Sequence, residues 1–581
     1  MPIYLPRQII VLRSSVSLAS FRAYVLHRRA PPTAPTERYL SSLRIFNVAR
    51  SLYSVMRFDS SDFTRHITLI SASSILIGLL LLALLLCFYV DFSKISGIPE
   101  IPGGTFLAGH LYQLGNDHAT TAERWAAQYE APVFQVRLGR RRAIFINSFE
   151  DAREWLVKNQ SATLDRPQFY TFHGVVSATS AATIGTSPWN ERTKKQRRVV
   201  GSFTTGPSIQ KLRQMLNQET FAMVSDLYQD SQNGVAAIMP HIYQKRLALN
   251  IMMMFCYGTR FSSISDPLLL QILSDASTIA SFRSTNSNPQ DFIPHLRYTC
   301  GGRTNTAVDV RQRRDSWLAS MLDNVKSSLP LKRESKRCVA EMLLTDNQEG
   351  LTPLDVKTIL GGLMSGGFET VFSTAIITIG LLSSPDGQAT QHEAYKSIMA
   401  TYSTPEEAFD KCIVEEKCDF VTSLVKEALR FYPPLKLLPA RQTYKEFPYR
   451  GSQIPKGILV YVNAQAVNRD KSVYGEDADV FRPERWMDKS RNISPPYHFA
   501  YGAGSRMCTA VNFANRVLYS IFVRLIVAFE MYESKEYPVN THYVDYKKDP
   551  TASNAIPADF KVRFSPRDKM VLKRCFETAQ A

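Results

Sequence analysis

The sequence predicts a mainly α-helical body with a small β region, preceded by one N-terminal transmembrane helix. Three observations predict this architecture. Between about residues 205 and 430, apolar residues recur at helical spacing over long stretches. Shorter apolar runs bounded by Gly and Pro turns, at 133–147 and 447–461, are typical of strands. A segment without any charged residue, 67–90, precedes all of them.

The composition excludes several classes of protein. The chain has 581 residues, of which 45% are hydrophobic and 21% charged, which is typical of globular proteins and not of collagenous or disordered ones. Its 8 cysteines form no Cys-x-x-Cys pair, which argues against a disulfide scaffold and a zinc ribbon. The net charge is +17, but no clustered basic module accompanies it, so we expect no nucleic-acid partner.

The apolar segment 67–90 predicts a membrane anchor. A helix over these residues would be about 36 Å long, enough to cross a hydrocarbon core of about 30 Å. The nearest flanking acid and arginine are Asp91 and Arg65. A buried core helix is the alternative, but such a helix would normally be shorter or amphipathic. Because no second comparable segment occurs, we expect a single-pass protein in contact with membrane lipid.

Residues 1–55 are an Arg-rich leader whose status the sequence leaves open. They are rich in Ser and poor in acids, as a mitochondrial transit peptide is. Residues 1–66 hold ten Arg and three acids, 10 − 3 = +7, and positive charge before an anchor also favours a cytoplasmic N-terminus. We hypothesise that Met56 is the working start, since the charges that follow it before the anchor cancel. We expect an endoplasmic reticulum membrane protein with a cytosolic body, in preference to a mitochondrial one.

Beyond the anchor, the sequence divides into an elbow and one large domain. Residues 97–110 contain two prolines and a Gly pair, which cannot continue a helix, so they predict a stiff elbow. The domain, 111–581, opens with predicted strands at 133–138 and 142–147 and a short helix at 149–158. Loops are predicted at 284–292 and 327–353. A last amphipathic helix is predicted after residue 508.

The segment 499–510 carries the sharpest chemical signal. Its lone Cys508 enters a predicted helix, where the positive end of the helix dipole favours thiolate over thiol. Gly502 and Gly504 allow a tight turn and a close approach of the backbone to a flat ligand. A thiolate held in this way is typical of a proximal haem ligand. The alternative is a buried structural cysteine.

The segment 361–370 combines four glycines with an acid and a hydroxyl inside a predicted helix. Each glycine costs a helix about 1 kcal/mol relative to alanine. Four of them in one segment suggest that this face of the helix requires a surface without side chains. A bare backbone admits a flat cofactor and a diatomic molecule, and Glu369 and Thr370 would supply protons there. The alternative is a kinked core helix in which Thr370 bonds to its own backbone.

A third motif combines an acid with two arginines. Glu427 and Arg430 are three residues apart, so they face one another on a helix. Arg485 could complete a buried Glu-Arg-Arg cluster, which would support folding and the seating of haem. The alternative is a solvated surface pair of little energetic weight.

These motifs, in this order, resemble the cytochrome P-450 family of haem-thiolate monooxygenases, from residue 99 to about 565. The resemblance implies the P-450 fold, with haem b held by Cys508 as axial ligand and O₂ as co-substrate. It assigns oxygen activation to Thr370 with Glu369 as the neighbouring acid, and the structural triad to Glu427, Arg430 and Arg485. The other residues that it places around the haem are Arg506, Arg441, Trp189, Phe499, Gly502 and Gly504.

Two positions depart from the family pattern. Ala510 stands where the family usually has Gly, two residues after the Cys. Thr193 stands where the family has a propionate-binding Arg, four residues after Trp189. Arg197 or Arg198, one turn later, is the alternative donor to that propionate.

The resemblance also implies an electron partner. The chain has no flavin or nicotinamide fingerprint, so NADPH would act indirectly, through the NADPH-cytochrome reductase of the endoplasmic reticulum.

Segments 183–198 and 381–388 are similar to fungal phenylacetate hydroxylases, which favours a small aromatic or phenolic substrate. Alternatives are a secondary-metabolite oxidase acting on a phenolic or polyketide intermediate, a haem-thiolate isomerase or dehydratase that uses no O₂, and a non-catalytic haem binder. Candidate pocket residues, by position alone, are Phe169, Phe172, Phe368, Leu437 and Leu438.

Overall fold

The computed structural model describes residues 68, 70–82, 91–178, 184–210, 212–285, 287–299, 301–329, 338–346, 350–488, 490, 493 and 495–580. The leader 1–55 and the hypothetical start at Met56 lie outside these residues. The chain divides into two compact units, 1–85 and 86–581.

In the first unit, helix α1 spans Ile70–Leu82. Its side chains are largely exposed, as the 64% exposure of Ile75 shows. A helix of this extent measures about 20 Å, which is less than the hydrocarbon thickness of a bilayer. Most of the remaining residues of the predicted anchor 67–90 lie outside the described part of the chain. A membrane-crossing helix therefore stays a prediction.

The second unit is mainly helical with short strands, as the sequence predicts. Its α-helices are α2 His118–Gln128, α3 Phe149–Arg153, α4 Glu191–Phe203, α5 Gly206–Gln210, α6 Arg213–Asp230, α7 His241–Tyr257, α8 Pro267–Ser281, α9 Leu296–Thr299, α10 Gly301–Ser328, α11 Val339–Thr345, α12 Pro353–Ser383, α13 Gln388–Thr401, α14 Pro405–Lys411, α15 Asp419–Phe431, α16 Ala464–Val467, α17 Lys471–Tyr474, α18 Val511–Ala528 and α19 Lys569–Gln580. Single π or 3₁₀ turns span Glu154–Lys158, Tyr170–Val176, Pro289–Asp291, Pro385–Gly387, Pro483–Trp486 and Gly504–Arg506.

The strands form three small sheets in the described part of the chain. They are β1 Val133–Leu138, β2 Arg141–Ile146, β3 Ala237–Ile238, β4 Arg441–Gln442, β5 Phe447–Tyr449, β6 Ser452–Ile454, β7 Leu459–Val462, β8 Phe529–Glu533 and β9 Val562–Pro566. The largest sheet has the order β1-β2-β7-β4, and the others are β3-β9-β8 and β5-β6. In the largest sheet β2 and β7 are parallel, with Phe145 opposite Tyr461. This pairing brings β4, from late in the chain, close to the first strands.

Helices α12 and α18 form the centre of the core. Both are long and apolar enough to cross a membrane by length and composition, but 78% and 72% of their most apolar windows are buried inside the protein. Helix α12 begins with a capping box between Thr352 and Asp355, which satisfies N–H groups at its first turn. These two helices are therefore core helices, and they position the site described below.

The structure describes two of the predicted connections, and one of them, the loop 327–353, differs from its prediction. The predicted elbow 97–110 is bonded to the body, because the Ile101 N–H donates to the Gln135 carbonyl at 3.2 Å and the Gln135 N–H to the Pro99 carbonyl at 2.8 Å. The predicted loop 327–353 contains helix α11, whose apolar residues Val339 and Leu343 are buried in the core. Helix α11 has only 7 residues, which are too few for a recognisable helical repeat of apolar residues in the sequence.

Candidate functional site

One cavity of about 400 Å³ lies inside the second unit. Residues of α12, among them Gly366 and Thr370, line this cavity, and so do Gly502 and Cys508 of the 499–510 loop. The two strongest sequence motifs, far apart in the chain, thus border one space. A cavity of this volume is typical of a small-molecule site.

Cys508 differs from the other cysteines in its environment. Among the cysteines of the described residues it alone is exposed, whereas Cys256, Cys338, Cys412, Cys418 and Cys575 are buried. Its sulfur lies within the protein and lines the cavity, so the exposed surface faces this interior space. The arrangement contradicts the alternative of a buried structural cysteine and leaves the sulfur free for a ligand.

The helix dipole does not control the Cys508 thiol as the sequence suggested. Burial raises the pKa of the Cys508 thiol, and the Ala510 N–H and the Arg197 charge oppose this rise without reversing it. The Ala510 N–H donates to Sγ at 3.4 Å. The helix start and Arg197 favour the thiolate form of Cys508 but do not outweigh burial. A metal cation deprotonates a coordinating thiol outright, so bound iron would convert Cys508 to the thiolate.

Backbone contacts fix the shape of the Cys508 loop. Gly502 and Gly504 have φ of +68° and +63°, a region that favours glycine. A Cβ on Gly504 would lie 1.8 Å from the Leu156 carbonyl oxygen, so the loop packs directly on the π turn Glu154–Lys158. The Cys508 N–H donates to the Tyr501 carbonyl at 3.0 Å. Together these contacts hold Cys508 at the cavity wall.

We expect Gly504→Ala to displace this loop and to abolish most of the haem uptake of the protein. The added Cβ cannot be accommodated without moving the Leu156 backbone. Gly451→Ala is the matched control, because Gly451 has φ of +76° with nothing within 4 Å of a new Cβ. Both variants carry the conformational penalty of about 1–3 kcal/mol, but only Gly504→Ala carries the clash. Haem content after purification measures the difference, and equal haem contents would contradict the clash.

Five arginines line the cavity. Four of them repel one another and form a positively charged cluster: Arg166, Arg197, Arg441 and Arg506. Burial and repulsion from Arg506 and Arg197 lower the pKa of Arg441 to about 9. Burial and repulsion from Arg166 and Arg197 lower the pKa of Arg506 to about 8, and Asp165 offsets this only in part. Such a cluster requires anions that bind in the cavity.

The arginine cluster fits the carboxylates of a haem. Arg441 is held by its Nη2, which donates to the Ala503 carbonyl at 2.7 Å, and Arg506 by its Nη2, which donates to the Ser187 carbonyl at 2.8 Å. The Nε atoms of Arg166 and Arg506 are buried without a partner. Two propionates would supply the missing acceptors and negative charge, while Cys508 would supply the axial sulfur. The residues present therefore fit haem.

Arg197 and Arg198 occupy different environments. Arg197 lines the cavity and donates from Nη2 to the Met507 carbonyl at 2.8 Å, while Arg198 is exposed. Of the two alternatives from the sequence, the structure thus brings Arg197 to the site. Thr193 does not take the place of an arginine, because its Oγ1 donates to the Pro188 carbonyl at 2.7 Å at the start of α4.

Two residues expected at the haem lie behind the cavity wall. The Trp189 ring lies 5.5 Å from the Arg506 guanidinium, on which it stacks, and it does not line the cavity. Phe499 is fully buried and packs edge-on against Phe149 at 5.1 Å. Both therefore support residues that line the cavity. Arg166 was missed, because it lies in a loop that carries no motif and reaches the site only through tertiary packing.

The glycines of α12 serve two purposes. A Cβ on Gly366 would meet nothing within 4 Å, so this backbone faces the open cavity. A Cβ on Gly367 would lie 2.3 Å from the Met252 sulfur, so this glycine lets α7 and α12 pack closely. Thr370 lines the cavity, and its Oγ1 donates to the Gly366 carbonyl at 2.8 Å. Thr370 therefore bonds to its own helix backbone, as the alternative predicts, and also borders the cavity.

Glu369 points away from the main cavity. It lines a smaller cavity of about 60 Å³, and its Oε2 accepts a hydrogen bond of 2.6 Å from Asn554 Nδ2. Burial raises the pKa of Glu369 to about 7, although Arg283, Asn554 and Lys245 oppose the rise. Close to neutral pH this carboxyl can therefore both hold and release a proton.

The pKa of Glu369 predicts a pH dependence of stability. The ordinary pKa of 4.5 applies to the unfolded chain, so between about pH 4.5 and 7 the folded state binds more protons. The free energy of unfolding should therefore fall as the pH rises through this window, by at most about 1.4 kcal/mol per pH unit. Urea unfolding should show a smaller fall in Glu369→Gln and the wild-type fall in Glu536→Gln, an exposed carboxyl. An unchanged slope in Glu369→Gln would contradict the shift.

The structure brings the predicted triad together in the core. Arg430 donates from Nη2 to Glu427 Oε1 at 2.7 Å and from Nε to Oε2 at 2.9 Å. Arg485 Nε lies 3.5 Å from Glu427 Oε1, and all three side chains have 0% exposure. The cluster lies away from the cavity lining, so it is not a surface pair and not part of the reacting centre.

The predicted pocket residues divide between the two cavities. Phe169, Phe172, Leu437 and Leu438 line the main cavity, and the Phe169 ring lies 5.8 Å from that of Phe292. Phe368 instead lines the smaller cavity, because it lies on the far side of α12 from Gly366. The main cavity thus has an aromatic wall that includes Phe292, which the sequence did not indicate.

Comparison with known proteins gives consistent matches. The family model described as cytochrome P-450 matches residues 99–543. Phenylacetate 2-hydroxylase of Emericella nidulans is 38% identical over 488 residues, which cover 83% of this chain and 93% of that protein. 3-Hydroxyphenylacetate 6-hydroxylase of the same organism is 34% identical over 473 residues, 81% of this chain and 89% of that protein. A cytochrome P-450 monooxygenase of Mycosarcoma maydis is 29% identical over 477 residues, 80% and 86% respectively.

Proposed function

The chain belongs to the cytochrome P-450 family of monooxygenases, and from this premise we propose that it inserts one oxygen atom of O₂ into a small aromatic acid of the phenylacetate type. The observation that carries the proposal is the similarity to two hydroxylases named for phenylacetate-type substrates, over more than 80% of this chain. The aromatic wall formed by Phe169, Phe172 and Phe292 supports it, since aromatic rings pack favourably on one another.

Haem would supply the activation of O₂ when bound in the main cavity, where the Cys508 sulfur would bind its iron. The arginine cluster would hold the propionates and fix the cofactor against the 499–510 loop. Thr370 can turn its Oγ1 from the Gly366 carbonyl, 2.8 Å away, toward the cavity and donate its proton there. Glu369 borders the smaller cavity and accepts from Asn554, so we do not assign to it the replacement of that proton.

The proposal includes an electron partner and a membrane. Electrons would come from NADPH through a separate NADPH-cytochrome reductase, since the sequence holds no flavin or nicotinamide fingerprint. The apolar residues 67–90 would anchor the protein in the endoplasmic reticulum membrane, with the catalytic unit in the cytosol.

The test is turnover of the full chain with haem, reductase, NADPH and ¹⁸O₂. Phenylacetate and 3-hydroxyphenylacetate are the substrates, and a polyketide phenol of similar size is the comparison. We expect one ¹⁸O atom in a ring-hydroxylated acid, dependent on NADPH. Product without NADPH would instead indicate an isomerase or dehydratase. Turnover of the polyketide phenol alone would replace the substrate class.

A further inference from the structure

Arg283 follows α8 and lines both the main and the smaller cavity. Its guanidinium lies 5.4 Å from the centre of the Phe172 ring, and its Nε is buried without a hydrogen-bond partner. Its side chain donates to no residue that the structure describes. A buried guanidinium without an acceptor is costly, so a partner is missing at this point of the wall.

Arg283 is unusual among the cations of the main cavity. Within the described part of the chain, every other lysine or arginine that lines this cavity donates to a carbonyl or carboxylate oxygen. These other cations are Arg166, Arg197, Lys436, Arg441, Arg506 and Lys547. Arg283 is thus the cation whose donors remain available to a molecule inside the cavity.

The nearby carboxylates do not serve as its partner. Glu369 attracts Arg283 electrostatically, but it forms no ion pair with it within 4.0 Å and accepts from Asn554 instead. Asp291, also on the cavity wall, accepts from both the backbone N–H and the hydroxyl of Thr171, at 2.7 and 2.8 Å. The neighbouring Arg314 repels Arg283 and adds to the need for an anion.

We propose that Arg283 binds the carboxylate of the substrate and thereby selects aryl acids over neutral aromatic molecules. The inference rests on the proposed function, because it assigns a residue to the acid group of that substrate. A guanidinium matches a carboxylate with two parallel N–H donors, which gives orientation as well as affinity. The aromatic ring of the same molecule would then lie beside Phe172, in the cavity that Thr370 also lines.

The test compares an acid with its neutral isostere. Phenylacetate and phenylacetamide are titrated into haem-loaded protein, and the shift of the Soret band reports binding at equilibrium. In Arg283→Gln we expect phenylacetate to bind about 10- to 100-fold more weakly, and phenylacetamide to change less than about threefold. Arg283→Lys should restore part of the difference. Lys357→Gln is the control, because Lys357 is an exposed cation that lines the smaller cavity only.

Each outcome decides the inference. Equal weakening of acid and amide in Arg283→Gln would make Arg283 a general wall residue and overturn the proposal, as would unchanged binding of phenylacetate. If Arg283→Gln fails to take up haem, the acid-to-amide ratio in Arg283→Lys decides instead. If the wild type binds neither acid nor amide, the proposed function itself fails and takes this inference with it. If the wild type hydroxylates phenylacetate and Arg283→Gln does so at an unchanged rate, the inference about Arg283 fails while the proposed function stands.

Discussion

Replacing Cys508 by serine is expected to remove the red-shifted Soret band that a thiolate ligand gives to the carbon monoxide complex of reduced haem, and to reduce hydroxylation to background. A serine hydroxyl stays protonated and cannot supply the soft anionic ligand. Among the described cysteines, Cys508 is the one whose sulfur faces the cavity. No other cysteine of the described residues can therefore take its place.

Cys338→Ala is the matched control for the loss of a thiol. Cys338 is buried with 6% exposure at the start of α11 and does not line the cavity. We expect this variant to keep the carbon monoxide band and the activity, with a modest loss of stability of about 1–2 kcal/mol. A thiolate-type band that survives in Cys508→Ser would show that the iron ligand lies elsewhere. The carbon monoxide band of both variants is measured on the purified protein with dithionite and carbon monoxide.

Local patterns predicted the elements that depend on local physics. The apolar stretch 355–382 predicts a helix, and α12 spans Pro353–Ser383, within two residues of it, while β1 matches its predicted span of 133–138. The family resemblance, derived from short motifs, is confirmed by a match over residues 99–543. The parallel pairing of Phe145 with Tyr461 could not be predicted, since it joins strands some 300 residues apart whose register depends on the completed core.

The residues of the candidate site likewise fall into those that a local motif indicates and those that only tertiary packing brings to the cavity. Cys508, Gly504 and Thr370 belong to contiguous motifs, so the sequence indicated them together. Arg166 and Arg283 belong to loops, and only tertiary packing shows that their charges reach the cavity. Electrostatics was the weakest part of the prediction. The helix start suggested a stabilised thiolate, but burial outweighs it and raises the pKa of Cys508, because removal from water penalises a charge at any helix terminus.

The second large effect concerns the buried triad. Glu427 accepts from Arg430, from the Trp486 Nε1 at 2.9 Å and from the Arg482 backbone N–H at 2.9 Å. Burial alone would raise its pKa, but Arg430 and Arg485 lower it, so the carboxylate is ionised. Glu427→Gln keeps the shape and removes the charge. It leaves the fully buried Arg430 without its carboxylate partner, and Arg485 with Asp477 alone at 2.8 Å, which should cost about 3–5 kcal/mol in the free energy of unfolding.

Urea unfolding measures this loss, and Glu393→Gln is its control. Glu393 pairs with Lys396 three residues later, as Glu427 does with Arg430, but the side chains of this pair are 41% and 70% exposed. Water screens such a pair, so the control should lose less than about 1 kcal/mol. Similar losses in the two variants would mean that the carbonyls around Arg430, and Asp477 beside Arg485, stabilise these cations without Glu427. A large loss in Glu427→Gln alone, with the Cys508 band retained in the folded fraction, would make the triad a folding element rather than part of the haem site.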